Sequence, residues 1–145
     1  MTPYEKVYDA FLAKVLDDEW EHWLVEEAEK DWRAILDGAV AWFKFPRVSL
    51  AQTDYGFEGD LSNQEIQIIA GYMKCEWLNR SIMTWENIKP LYEERDFSQA
   101  NMLDKLNKTL AAERDKADWL ERNYYRSVNH KPFNYRQLAG DSNDR

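Results

Sequence analysis

One cysteine, two histidines, five glycines and four prolines are all that this chain of 145 residues holds of those four types. A lone Cys75 leaves no intramolecular disulfide to form and suits a reducing compartment. His22 and His130 stand far apart and lack the spacing of a zinc-ligand set, and His22 between two tryptophans reads as a packed or half-exposed imidazole. Scarce Gly and Pro, with 32% charged residues, favour helices over a sandwich or barrel. No phosphate-cradling glycine loop or nucleophile elbow is present. No apolar run approaches the roughly 18 residues of a membrane span. The opening MTPYEKVYDAFLAK has acids where a secretion signal wants bases, which predicts a chain made in a cytoplasm, away from membranes.

Positive charge is also short: 19 Lys and Arg stand against 27 Asp and Glu, a net charge of −8. The imbalance is uneven. Residues 1–119 hold 14 bases and 24 acids, a net −10, whereas residues 120–145 hold five and three, a net +2. An acidic body repels phosphate, which argues against nucleic-acid binding through a basic footprint. The same charge suits a wall past which DNA must move without sticking.

Aromatic residues, by contrast, abound: seven Trp, eight Tyr and six Phe. Part of that surplus fills a core, and Trp and Tyr are also what interfaces use. The surplus predicts lateral subunit contacts through some of Trp20, Trp23 and Trp42.

The chain is organised around Ser62–Ile82. Ser62 and Glu65 have capping-box spacing. Ile66, Ile69, Ala70, Met73 and Trp77 then form one apolar stripe, and Ile68, Tyr72, Cys75 and Ile82 a second on the opposite side. Two stripes predict a central helix packed on both sides, with Gly71 admitting a close neighbour and Cys75 an inert core thiol. Before it, Thr2 and Pro3 predict a helix start, and Tyr4, Val7, Tyr8, Phe11, Leu12, Val15 and Leu16 give a clean amphipathic stripe. Asp17, Asp18 and Glu19 then favour a new helix start, with helical period (Ala28, Trp32, Ile35, Leu36, Ala39, Phe43) up to Lys44. Trp20, Trp23 and Leu24 fit either a connecting turn or that same helix.

Phe45-Pro46 ends the second helix. Residues 46–60 read as an extended loop in which Val48 and Leu50 alternate like a short strand and Gly56 and Gly59 mark turns. Its length suits either a functional loop or an arm laid over the core by Tyr55 and Phe57. Thr84–Tyr92 reads as a short helix entered by Thr84-Trp85-Glu86-Asn87, and Pro90 inside it makes it either one distorted turn or a helix that starts near Pro90. Ser98 to Arg126 reads as the longest helix, with a seven-residue repeat of Leu103, Leu110, Ala117 and Tyr124 beside Leu106, Glu113 and Leu120. Asp104/Lys108 and Asp118/Arg122 fall at i,i+4 on its other face, and its polar middle predicts a helix half packed and half projecting. The fold class is therefore all-α, a small bundle of four to five helices with a long C-terminal helix and an extended tail. Residues 1–126 form the domain and residues 127–145 an arm.

Two resemblances bear on function. Glu26-x-x-Glu29 and Glu93-x-x-Asp96 resemble the paired carboxylates that hold magnesium in all-helical nucleotide pyrophosphohydrolases. Among 27 acids such pairs also arise as a solvated face. A second resemblance rests on LSNQEIQIIAGYMKCEWL (61–78), Thr84-Trp85-Glu86-Asn87 and Asp96-Phe97-Ser98-Gln99-Ala100-Asn101-x-Leu103. Phe45-Pro46-Arg47 and Leu120-Glu121-Arg122-x-x-Tyr125-Arg126 add to it. Together these segments, spread over residues 7 to 130, resemble the head–tail connector (neck or head-completion adaptor) proteins of tailed bacteriophages.

That resemblance implies a virion structural subunit with no catalytic, cofactor or metal site, assembled in the host cytoplasm and placed at the head–tail interface. It implies a ring of about twelve copies beneath the portal, closed by heterologous contacts, extending the DNA channel and docking the next neck or tail protein. Asp17, Asp18, Glu19, Glu21, Glu26 and Glu27 are then expected to face the channel or solvent. Arg126, Lys131, Phe133, Tyr135, Arg136 and Leu138 are expected to form a locally basic portal-binding arm whose aromatics interleave with polar residues. The rivals are the magnesium-dependent hydrolase and an acidic DNA mimic that occupies a DNA-binding protein.

Overall fold

The computed structural model describes residues 1–15, 19–88 and 96–126, and for 87, 88 and 96–100 it describes the backbone alone. In chain order the elements are β1 (Thr2–Pro3), α1 (Tyr4–Lys14), α2 (Val25–Val40), β2 (Gly56–Phe57), α3 (Asn63–Ile88) and α4 (Asp96–Tyr125). The protein is all-α, with a two-residue antiparallel ribbon as its sheet among the described residues.

Helix α3 is the centre, packing against α1, α2 and α4. Its start is a reciprocal capping box: the Ser62 amide donates to Glu65 Oε1 at 2.8 Å and the Glu65 amide to Ser62 Oγ at 3.2 Å. Both apolar stripes are buried, Ile66, Ile69, Ala70 and Met73 on one side and Ile68, Tyr72, Cys75 and Ile82 on the other. The helix does not stop near Ile82. Thr84, expected to open a separate helix, instead donates its hydroxyl back to the Arg80 carbonyl at 3.0 Å, and α3 continues to Ile88. Residues 89–92 of that expected helix lie outside the described residues.

Helix α4 runs antiparallel to α3. Leu103, Leu106 and Leu110 pack on Cys75, Leu78 and Ile82, Ala117 lies against Gly71, and Tyr124 reaches Glu65. The seven-residue repeat is therefore packed from Leu103 to Tyr124, and α4 is not the half-projecting helix expected. Its polar middle is accommodated because Glu113 pairs with Lys74 of α3 at 3.0 Å. Asp104 pairs with Lys108 at 3.1 Å as expected, whereas Asp118 lies 2.9 Å from the Tyr72 hydroxyl, sharing its single proton with Glu121, rather than pairing with Arg122.

Helix α1 buries Tyr4, Val7, Tyr8 and Phe11. Thr2 is not its cap. Its hydroxyl donates to the Gly59 carbonyl and accepts from the Leu61 amide, which ties the chain start to the entry of α3. Pro3 takes the cap position and Thr2–Pro3 pairs with Gly56–Phe57, so the strand falls there and not at Val48–Leu50. Phe57 is wholly buried while Tyr55 is exposed, so the loop is laid over the core by one of its two aromatics.

Helix α2 starts later than its acids suggest. It begins at Val25 with Leu24 at the cap position, and Glu19–Trp23 form turns that place Trp20, Trp23 and Leu24 on the connection. It ends at Val40, short of Lys44: the Trp42 and Phe43 amides close tight turns onto the Ala39 and Val40 carbonyls at 3.0 and 3.2 Å, and the Lys44 and Phe45 amides then donate to side chains of α4.

Candidate interaction surfaces

The residues after α2 are fastened to the C-terminal end of α4 by a dense polar clamp. The Lys44 amide donates to Glu121 Oε1 at 2.8 Å, the Phe45 amide to the Tyr125 hydroxyl at 2.9 Å, and the Arg47 amide to the Tyr124 hydroxyl at 2.7 Å. Tyr124 in turn donates to Glu65 Oε2 at 2.9 Å, joining the clamp to the capping box of α3. Glu121 also accepts from Tyr125 and from Tyr72, each at 2.6 Å, so a nearly buried carboxylate is satisfied by three neutral donors. Arg47 then caps α4: its guanidinium donates to the Tyr124 and Tyr125 carbonyls at 3.0 and 3.4 Å and lies 4.7 Å from the Tyr124 ring centroid. A cation on the last carbonyls also opposes the negative end of the helix dipole.

The tyrosines of this clamp are held in their neutral form. Burial pushes Tyr124 and Tyr125 up to about 12, with Glu65 adding to the effect on the first and Glu121 on the second. Burial, then hydrogen bonds to Glu121 and Asp118, pushes Tyr72 further in the same direction. Phe45-Pro46-Arg47 and the Glu121–Tyr125 segment, about 80 residues apart in sequence, are thus one piece of structure. Sequence reading picked out both segments but not their union. The signal present was a run of polar and aromatic residues at the end of α4, where the apolar repeat alone would not require a buried Glu121.

The tryptophans divide. Trp20 is 8% exposed, donates to Asp31 Oδ2 at 2.8 Å and packs edge-on to Phe11 and Trp32. It belongs to the core, and the expected subunit contact through Trp20 is corrected: the turn before α2 folds its ring inward to close the α1–α2 end. Trp42 is 43% exposed but engaged, donating to Glu76, stacking on Tyr72 and lying under the Arg114 guanidinium. Trp23 is 42% exposed, at the corner before α2.

Of the six acids expected on an open face, Asp17 and Asp18 lie outside the described residues. Glu19 is exposed but not free, since it accepts from Trp77 Nε1 at 2.8 Å and from Arg80 at 3.3 Å. Arg80 also reaches Asp31 at 2.6 Å. Burial alone would raise the Asp31 carboxyl, but hydrogen bonds from Arg80 and Trp20 outweigh it and hold Asp31 below the usual carboxylate range. Glu21, Glu26 and Glu27 are exposed. Glu26 and Glu29 border an open cleft shared with Lys30 and Arg33. No cluster of three or more His, Cys, Asp or Glu able to hold a metal forms among the described residues. The second carboxylate pair, Glu93 and Asp96, falls where side chains are not described. Cys75 is buried, and burial pushes its thiol up to about 11, away from the reactive thiolate.

Arg126 is exposed, its amide donating to the Arg122 carbonyl at 3.2 Å as α4 ends. Lys131, Phe133, Tyr135, Arg136 and Leu138 lie outside the described residues. Among the described residues no helix is long and apolar enough to cross a membrane. No family model, curated protein or solved structure matches this chain.

Proposed function

We propose that the chain is a head–tail connector subunit of a tailed bacteriophage: a structural protein that binds the portal, lies in a ring with copies of itself and docks the next neck or tail protein. The observation that carries this reading is the clamp between Phe45-Pro46-Arg47 and Glu121–Tyr125. Those two segments are part of the resemblance to connector proteins. Their union fastens the C-terminal end of α4, where the proposed arm begins, to the segment after α2 and to the start of α3. An arm that recognises a partner gains from such fastening, because fewer orientations are lost on binding. A net charge of −8 leaves the body negative, which suits a subunit beside passing DNA.

The arm is the part to test. A truncation after Ser127, and Phe133→Ala with Tyr135→Ala in the full chain, are expected to stay helical by circular dichroism while losing attachment to portal-bearing heads. The arm is basic and its partner surface is expected to be acidic, so attachment of the intact chain weakens as salt rises. Normal attachment of the truncated chain would sink the reading.

A further inference from the structure

A groove of about 420 Å³ opens where the end of α1 meets α3 and α4. Its floor is Gly71 against Ala117, and beside it stands Trp119, 58% exposed. Lys14, Lys74 and Lys116 line it with a single acid, Glu113. Lys74 and Lys116 both approach the same Glu113 oxygen, at 3.0 and 3.9 Å. Lys14 has no ion-pair partner among the described residues. Burial pushes its ammonium down, Glu113 opposes the shift, and Lys116 and Lys74 add to it. Three ammonium groups against one carboxylate leave an excess of two positive charges in a chain of net charge −8. What fits such a site is apolar and acidic at once.

The chain carries that complement at its other exposed corner. Trp23, Leu24 and Val25 are consecutive and 42%, 69% and 70% exposed, an apolar run at the start of α2 that the fold leaves uncovered. Glu21, Glu26 and Glu27 flank it in sequence, exposed and without an ion pair among the described residues. We propose that a second copy of this chain seats its Trp23–Leu24–Val25 corner, with Glu26 and Glu27, in the basic groove at Lys14, Lys74 and Lys116. The charges decide the occupant. Residues 127–145 hold three bases and two acids, so the chain's own C-terminal segment lacks the acidic excess that three lysines call for. The two surfaces are different patches, so the contact is heterologous and repeats from copy to copy. This deepens the connector reading, on which closure of the repeat into a ring rests.

The test is cross-linking by a short bismaleimide of a full-length chain carrying Leu24→Cys and Lys116→Cys, at high protein concentration and low salt. Cys75 is buried, so the introduced thiols react alone. The expected result is a ladder of dimers, trimers and higher species, with each single-cysteine variant giving no ladder and their mixture giving a heterodimer. Lys14→Glu or Glu26→Lys in the double-cysteine chain is expected to lower the yield by roughly tenfold, and the two together to restore it. No ladder, a cross-link within one chain, or a ladder indifferent to these reversals overturns the proposal. So does a ladder that appears only after residues 128–145 are removed, which would assign the groove to the chain's own C-terminal segment. Portal attachment is read separately through the arm. A ladder without attachment contradicts the connector reading alone, and attachment without a ladder contradicts this interface alone.

Discussion

Glu121 is 4% exposed and accepts from the Lys44 amide and from the hydroxyls of Tyr72 and Tyr125. A carboxylate in that position organises structure rather than chemistry, because its charge is spent on fixed donors. Glu121→Ala strands those donors in the interior and is expected to destabilise the fold by about 3 kcal/mol, read from urea unfolding. The surrounding tyrosines give the clamp a distinct alkaline limit. Their folded pKa values lie above the ordinary value of about 10, so the neutral hydroxyls contribute fully below that pH. That contribution is lost as pH rises through about 12, the value to which Tyr124 and Tyr125 are pushed. The urea midpoint is therefore expected to fall steeply between about pH 10 and 12, and Tyr125→Phe to soften that fall. A midpoint flat across that window would contradict the clamp. The carboxylate of Asp31 acts at the other end. Its folded pKa is depressed, so its contribution is present above its unfolded value and lost in acid, as pH falls below about 4.

At the scale of elements, glycine reports how closely the pieces meet. A methyl group on Gly71 would lie 3.5 Å from the Ala117 Cβ, an ordinary contact, so Gly71→Ala is expected to be neutral or to stabilise by up to about 1 kcal/mol through helix propensity. A methyl on Gly56 would run into the Thr2 carbonyl, so Gly56→Ala is expected to break the β1–β2 pairing and lower the thermal midpoint. Reversed outcomes would mean that α4 or the ribbon is set differently on the core. Most of the helical frame was legible in the sequence. The double stripe and capping box of α3 are local signals, and Gly71 announced its close neighbour. The boundaries were less legible, and for identifiable reasons. Acids at 17–19 suggested a helix start, but the turn that buries Trp20 pushed it to Val25. Thr84 looked like a cap and is a back-bonded residue inside α3. The pairing of Thr2–Pro3 with Gly56–Phe57 joins residues more than 50 apart, and no periodicity encodes such a partner. The candidate surfaces followed the same rule. Trp20 and Trp23 were indistinguishable as interface candidates, and tertiary contacts of Trp20 with Asp31, Phe11 and Trp32 are what separate a core ring from the exposed Trp23.

For the whole molecule, charge and shape divide the labour. The body is a four-helix frame among the described residues, acidic on the corner before α2 and basic in the groove beside α1, and its last helix is pinned at its C-terminal end by Arg47. That frame offers no assembled metal cluster among the described residues and a buried, unreactive thiol. Its exposed features include a corner of Trp23, Leu24 and Val25 and a lysine-lined groove. These fit a subunit whose work is to meet other proteins in fixed geometry. The most direct measurement is electron microscopy of purified portal mixed with the full chain. An added ring coaxial with the portal is expected, lost when the chain is truncated after Ser127. Portal particles that gain no added layer, with the full chain folded and in excess, would contradict the connector reading.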